Sequence, residues 1–338
     1  MPSDRREFLK VSASAGVALG FASRPGRALA HSNDAVREAL LQSHCETFLA
    51  RSPEEATAAN FDIGQNAHLR ARLDDRSLAA RERDRRAVKD ALAQLRAVPV
   101  QGLSERAALD RDVALYVYET LDRLLGFYGY ADLNLRPRPY VVSQMNGAYY
   151  WLPDFIGGRH PITDGADAEA YFDRLSGLAI ALDQESARIR HDAAIGVVPP
   201  EFVIEKTVTQ IKNLRDGPPL ASALLAPAIA RMQALDRRGA AERATHIFRQ
   251  TIQPALSRQI EALEAVRAQA VDTAGVWHLP DGDAYYASAV QANTTTDIAP
   301  HDLHELGLEQ CASLLSRIDA LLKAQGMSQG TVGERIAA

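Results

Sequence analysis

The chain has 338 residues, 46% hydrophobic and 24% charged, with a formal net charge of −5. A mildly acidic balance excludes the basic stripe that nucleic-acid binders use to displace counterions from phosphates. Length and apolar content fit one large globular domain or two smaller ones, and beyond the N-terminal segment no run of about 18 apolar residues is present to span a membrane.

The first 30 residues read as an export signal. Arg5-Arg6-Glu7-Phe8-Leu9-Lys10 is a twin-arginine pattern, with Asp4 where Ser or Thr is more usual. An apolar run from Val11 to Phe21 follows, and Ala28-Leu29-Ala30 supplies a small-x-small cleavage site. Charged region, short apolar core and cleavage site stand in the order of a signal peptide, and the core is too short to span. The expectation is a periplasmic or secreted protein exported by the twin-arginine route, with a mature chain from about His31. The signal holds five basic and two acidic groups, so its removal takes the balance from −5 to −8.

From there the periodicity is helical. Val36, Leu40, Leu41, Phe48 and Leu49 form the stripe of a first helix ending near Arg51-Ser52-Pro53. Ser77 caps a second that stops at Pro99, with Val88, Leu92 and Leu95 inward. Ser104 caps a third, in which Leu109, Val113, Tyr116, Val117, Leu121, Leu124 and Leu125 recur, and Gly126 ends it. Between Gly129 and Thr163, Arg136-Pro137-Arg138-Pro139, Asn146-Gly147, Pro153-Asp154 and Gly157-Gly158 predict irregular backbone. Its load of Tyr140, Tyr149, Tyr150 and Trp151 argues for an ordered loop packed on the helices. Helical spacing resumes from Asp167 to Gly196, then after Pro199-Pro200, then from Gly239 to Val271 with a kink at Pro254. A last helix runs from Pro300 to Gly326. No alternating pattern longer than four or five residues occurs, so the fold class is all-α.

The tail after Gly326 ends in Glu334-Arg335-Ile336-Ala337-Ala338, the first turn of a further helix. So short a helix does not hold itself, and the expectation is a frayed end or a domain, residues 31–338, that is incomplete at its C-terminus.

Chemistry-bearing motifs are few. His301, His304 and Glu305 share one helix face, but the order His-Glu-x-x-His and its inverse are both absent, and a polar first turn after Pro300 explains the cluster. No metal ligand is therefore assigned in this chain. Asp281-Gly282-Asp283 lacks the spacing of a calcium loop and reads as a turn and cap. Cys45 and Cys311 have no Cys-x-x-Cys partner or basic neighbours. An exporting compartment permits a bridge between them, and free buried thiols are the commoner outcome.

Several of these segments together carry a resemblance. They are Arg51-Ser52-Pro53-Glu54, Pro161-Ile162-Thr163, Gly196-Val197-Val198-Pro199-Pro200, Gly282-Asp283-Ala284-Tyr285-Tyr286, and Thr294-Thr295-Thr296 leading to His304-Glu305-Leu306-Gly307. In this order the chain resembles the bacterial DUF-885 family, whose members look like helical zinc metallopeptidases of the carboxypeptidase Taq type. The resemblance implies two helical walls around a cleft, zinc bound by a downstream His-Glu-x-x-His motif, and a metal-activated water attacking a peptide carbonyl. This sequence lacks that motif, so the chain is expected to be inactive alone and to hold no cofactor, zinc being expected of a full-length member. By the same resemblance Asp283, Tyr286 and His304 are substrate-binding candidates facing a peptide, with hydroxyl or imidazole donating to its carbonyl. The alternative is a non-catalytic helical binding or scaffold protein of the periplasm. The sequence sets no oligomeric state.

Overall fold

The computed structural model describes residues 32–131 and 137–337, and the expected export signal lies outside them. Among the described residues there are thirteen α-helices and no strand, which makes the protein all-α. No described helix is long and apolar enough to cross a membrane. The chain divides into two compact units, one up to Pro280 and one from Asp281 onward.

The first unit opens with three helices, α1 (Ser32–Arg51), α3 (Leu78–Ala97) and α4 (Glu105–Phe127), with the short α2 (Pro53–Ala58) and a 3-10 turn (Gly64–Ala71) between α1 and α3. The Ser77 and Ser104 hydroxyls accept from the Ala80 and Ala107 amides, as the sequence predicts. Each satisfies a donor that helix geometry leaves orphaned. Leu41, Leu95 and Ala114 form one small core and Val88, Leu121 and Leu125 another. The predicted stripe of α4 is buried only in its second half. Leu109 and Val113 are 59% and 48% exposed, because the packing partners of α4 do not cover its first turns.

The main core is organised by α6 (Gly165–Ala194), in which 17 of 30 residues are buried. Against it pack α5 (Ala148–Asp154), α9 (Ala240–Ile247) and α10 (Gln253–Arg267), with α7 (Glu201–Asp216) on α10 and α8 (Ala226–Ala234) nearby. Leu175, Leu178, Leu182, Phe248, Leu256 and Leu263 lie at the centre of this core. Full burial of each such side chain stabilises by roughly 1.5–3 kcal/mol. The kink foreseen at Pro254 takes the form of a π turn, Phe248–Ile252, immediately before α10. The wider turn absorbs the missing proline donor while keeping Phe248, Ile252 and Leu256 inward.

The segment read as an irregular loop is irregular over 137–147 and 160–164 and is corrected between them. Residues 148–159 are helical, α5 running straight into a second π turn, Phe155–Arg159. Gly157-Gly158, taken as a turn, sits inside that π turn, where a Cβ on Gly157 would come within 1.9 Å of the Ala223 carbonyl oxygen. Glycine is there for close packing. Asn146-Gly147 keeps non-helical backbone at the end of a turn closed by Ser143 and Asn146, with Gly147 at φ +118.

The second unit consists of α11 (Gly282–Thr294), α12 (Pro300–Ala324) and α13 (Val332–Ala337). The tail does not fray in the structure. The Glu334 carboxylate accepts from the Thr331 amide (2.7 Å) while Thr331 Oγ1 accepts from the Glu334 amide (3.2 Å), a reciprocal capping box. Arg335 then donates to the Met327 carbonyl and to Asp319 of α12. These tertiary tethers supply what a six-residue helix lacks by itself. Cys45 and Cys311 are free, and Cys311 is exposed rather than buried.

Candidate functional site

The three residues singled out from sequence all lie in the second unit. Asp283 and Tyr286 stand one turn apart near the start of α11, both exposed, while the intervening Tyr285 is buried. Asp281, immediately before the helix, adopts the left-handed region at φ 55, and its side chain makes no cap bond. His304 lies one turn into α12, also exposed. Eleven residues of helix, roughly 16 Å, separate Asp283 from the α11 end that leads to α12. No hydrogen bond or ion pair joins the three residues, or joins His304 to His301 or Glu305, among the described residues. Nor does any group of three or more His, Cys, Asp or Glu there take an arrangement able to hold a metal ion. The described residues do not fit a zinc site.

The densest polar constellation is one that sequence reading missed. It lies in the first unit, where α6 meets the chain between Pro53 and Arg76. Arg174, fully buried, donates through Nε to the Arg72 carbonyl (2.8 Å) and through Nη2 to Thr57 Oγ1 (2.6 Å). Its Nη1 points at His160 Nδ1 (2.9 Å). Arginine has no acceptor, so Nδ1 accepts, and Nε2–H donates to the Asp167 carbonyl (2.9 Å). Burial, and then the Arg174 and Arg231 charges, push His160 down to about 4, against the pull of its bond to Asp167. The imidazole is therefore neutral and fixed in one tautomer at neutral pH. Asp62 and Asp167 share Arg70 beside this group, at 3.0 and 2.7 Å.

A second cluster surrounds Glu185 on the same helix. Both carboxylate oxygens accept the Ala148 amide, at 2.8 and 2.9 Å, with Gln259 at 3.2 Å and Arg76 at 3.4 Å. Burial pushes Glu185 up to about 7, beyond what Arg76 and the Ala148 amide offset. Arg76 also forks onto Glu54 at 2.8 and 2.9 Å. Burial and the adjacent Glu54 charge hold the Asp74 carboxyl above its usual range.

Shifted carboxylates and imidazoles mark functional sites when they line a cleft. Here Arg174 and Arg70 donate across 97 to 121 residues between α6 and the 53–76 segment, and Glu185 accepts the Ala148 amide 37 residues away. The arrangement ties the 53–76 segment and the start of α5 to α6. Its chemistry is positional: it fixes backbone. A groove of about 350 Å³ lies elsewhere, lined by Leu220, Glu242, Thr245, His246 and Arg249 around α9 and its π turn. It contains none of the sequence candidates.

On the surface above Glu185, α5 presents Tyr150 and Trp151, 40% and 44% exposed, while Tyr149 between them and Ala148 is buried. Tyr149 donates its hydroxyl to the Ser143 carbonyl (2.6 Å). The aromatic load noticed in the sequence is thus split between core and surface.

A family model described as "Bacterial protein of unknown function (DUF885)" matches residues 53–338. No curated protein matches the chain. Among solved structures, the crystal structure of the putative lipoprotein from Colwellia psychrerythraea matches with a TM-score of 0.80 at 18% identity, over 90% of this chain and 53% of that one. The chain spans about half the length of that neighbour, and at this identity the likeness is one of fold. With the family model covering well over half of its length, the chain belongs to the bacterial DUF885 family.

Proposed function

We propose that this chain is the peptide-facing helical part of an exported protein related to zinc metallopeptidases, and that any hydrolytic step draws its metal ligands from outside these 338 residues. The observation that carries the reading is the family match over residues 53–338, which takes in all the segments of the resemblance except Arg51-Ser52 at its start. The donor chemistry supports the second clause. His301, His304 and Glu305 are exposed on one helix and, among the described residues, do not form a group arranged to hold a metal ion, whereas a tetrahedral site needs three or four converging protein ligands. No catalytic step is therefore assigned to a residue of this chain.

In this reading Asp283, Tyr286 and His304 contact substrate. A tyrosine hydroxyl and an imidazole are suited to a peptide carbonyl, and an exposed carboxylate to a peptide amide or amino group. Export is supported by the order of the N-terminal signal elements and by the description of the Colwellia neighbour as a putative lipoprotein.

The test is binding of a mixed tetrapeptide library to the chain from His31 onward, compared with Tyr286→Phe and His304→Ala. Each exposed substitution is expected to weaken retention by roughly threefold to tenfold, the value of one net hydrogen bond, with the melting curve unchanged. Retention that neither substitution alters would remove peptide contact from these residues. Hydrolysis of the library by the chain alone would refute the assignment of the metal ligands to residues outside it.

A further inference from the structure

The segment from Arg138 to Trp151 places an aromatic surface under tight control from below. A turn closed by Ser143 and Asn146, each accepting the other's amide at 3.0 and 3.1 Å, carries Met145 at its tip, 65% exposed. The Asn146 side chain is clamped by donating to the Tyr140 and Val141 carbonyls, at 3.0 and 3.1 Å. Its Oδ1 then accepts from both Arg138 Nη1 (2.8 Å) and Trp151 Nε1 (3.2 Å). The Arg138 guanidinium lies over the Trp151 ring at 5.2 Å, and Tyr150 meets the same ring edge-on at 4.9 Å. Beneath them the Ala148 amide is held by buried Glu185.

Two exposed rings and a guanidinium are thus fixed before anything binds. Tyrosine, tryptophan and arginine dominate recognition hot spots because they bring large contact area for few torsions. Rings already pinned lose little further freedom on binding. Arg138 forms an ion pair with no described residue and donates only to Asn146 among them. A guanidinium in that state complements a carboxylate, which it takes in a bidentate fork.

We propose that Arg138, Asn146, Tyr150 and Trp151, with Met145 at the rim, form a docking site for an extended peptide. The peptide presents an aromatic or branched apolar side chain to the rings and an adjacent carboxylate to Arg138. The site shares no residue with Asp283, Tyr286 and His304, so either assignment can fail without the other.

The sequence holds two tryptophans, and Trp277→Phe leaves Trp151 as the only indole reporter. In that background the fluorescence of the full chain is titrated with Ac-Gly-Phe-Asp-Gly-NH2, its Asn analogue, its Ala analogue (Ac-Gly-Ala-Asp-Gly-NH2) and maltohexaose. The Phe-Asp peptide is expected to give a saturable change, with the Asn and Ala analogues roughly tenfold weaker, as loss of one charge-assisted pair or one buried ring implies. Arg138→Gln should abolish the preference for Asp over Asn, and Arg138→Lys should retain part of it. The peptide comparison needs no change to the site itself and is repeated on the parent chain, whose two indoles report together, so it does not depend on a variant folding. No saturable change, equal affinity for the Asp and Asn peptides, a preference that survives Arg138→Gln, or tighter binding of maltohexaose would each overturn the proposal.

Discussion

Glu185 of α6 and His160, which packs against that helix through Arg174, are two buried groups with opposite pH behaviour. The Glu185 carboxyl is raised from 4.5 to about 7, so the folded chain holds this proton more tightly than the unfolded one. Its contribution is full below about pH 4.5 and is lost as pH rises through about 7. His160 is lowered from 6.5 to about 4, so its contribution is full above about pH 6.5 and is lost as pH falls through about 4. Glu185→Gln mimics the protonated carboxyl and leaves His160 untouched. Its stability relative to the parent should therefore rise between pH 5 and pH 8, by up to about 3 kcal/mol at 1.36 kcal/mol per unit. Urea melts at the two pH values check this, and a difference that is flat or falls with pH would contradict the burial argument. Neither group was found from sequence, although a signal was present. Arg174, Glu185 and Arg188 sit in the same register as the apolar residues of α6, where a solvated helix face should not be.

Helix boundaries were legible where a side chain or proline sets them locally. Ser77, Ser104, Pro99 and Pro254 each acted within a few residues, and the structure follows them. The 148–159 segment was misread because its glycine and proline pairs serve tertiary contact. Gly157 admits the Ala223 carbonyl, and nothing within the segment itself encodes that neighbour. The terminal helix α13 is the converse case, a capping box that local sequence does contain, joined to a tether from Arg335 that it does not announce. Thr331→Ala removes one half of the box at a cost of about 1 kcal/mol. Amide exchange of residues 332–337 should then accelerate by roughly fivefold, with exchange in α6 unchanged. Equal exchange in the two proteins would show that the box does not hold the helix.

For the whole molecule, fold class was readable from periodicity and the buried polar cluster was not. Three- and four-residue spacing repeats along the chain and needs no long-range information, whereas Arg174, His160 and Thr57 are brought together from positions up to 117 residues apart. The second unit adds a surface consequence. None of the 25 residues of α12 is buried, and Leu306, Leu308, Leu314, Leu315 and Leu321 are all exposed. Helical spacing puts Leu306, Leu314 and Leu321 on one face and Leu308 and Leu315 on the other, an exposed apolar load that is unusual on a stable monomer. The chain should bind a hydrophobic dye such as ANS in native buffer, and the pair Leu314→Glu and Leu321→Glu should cut the signal at least by half. Dye fluorescence no higher than that of a compact control protein would show the face to be covered.

The central claim is that these residues engage peptide while zinc chemistry lies outside them. Metal content decides it most directly: the chain from His31 onward, purified, loaded with a slight excess of zinc chloride and dialysed without chelator, is analysed for zinc by mass spectrometry. The account predicts no stoichiometric zinc, since no described group of His, Cys, Asp or Glu is arranged as a site. One tightly held zinc per chain, lost on His304→Ala, would contradict it.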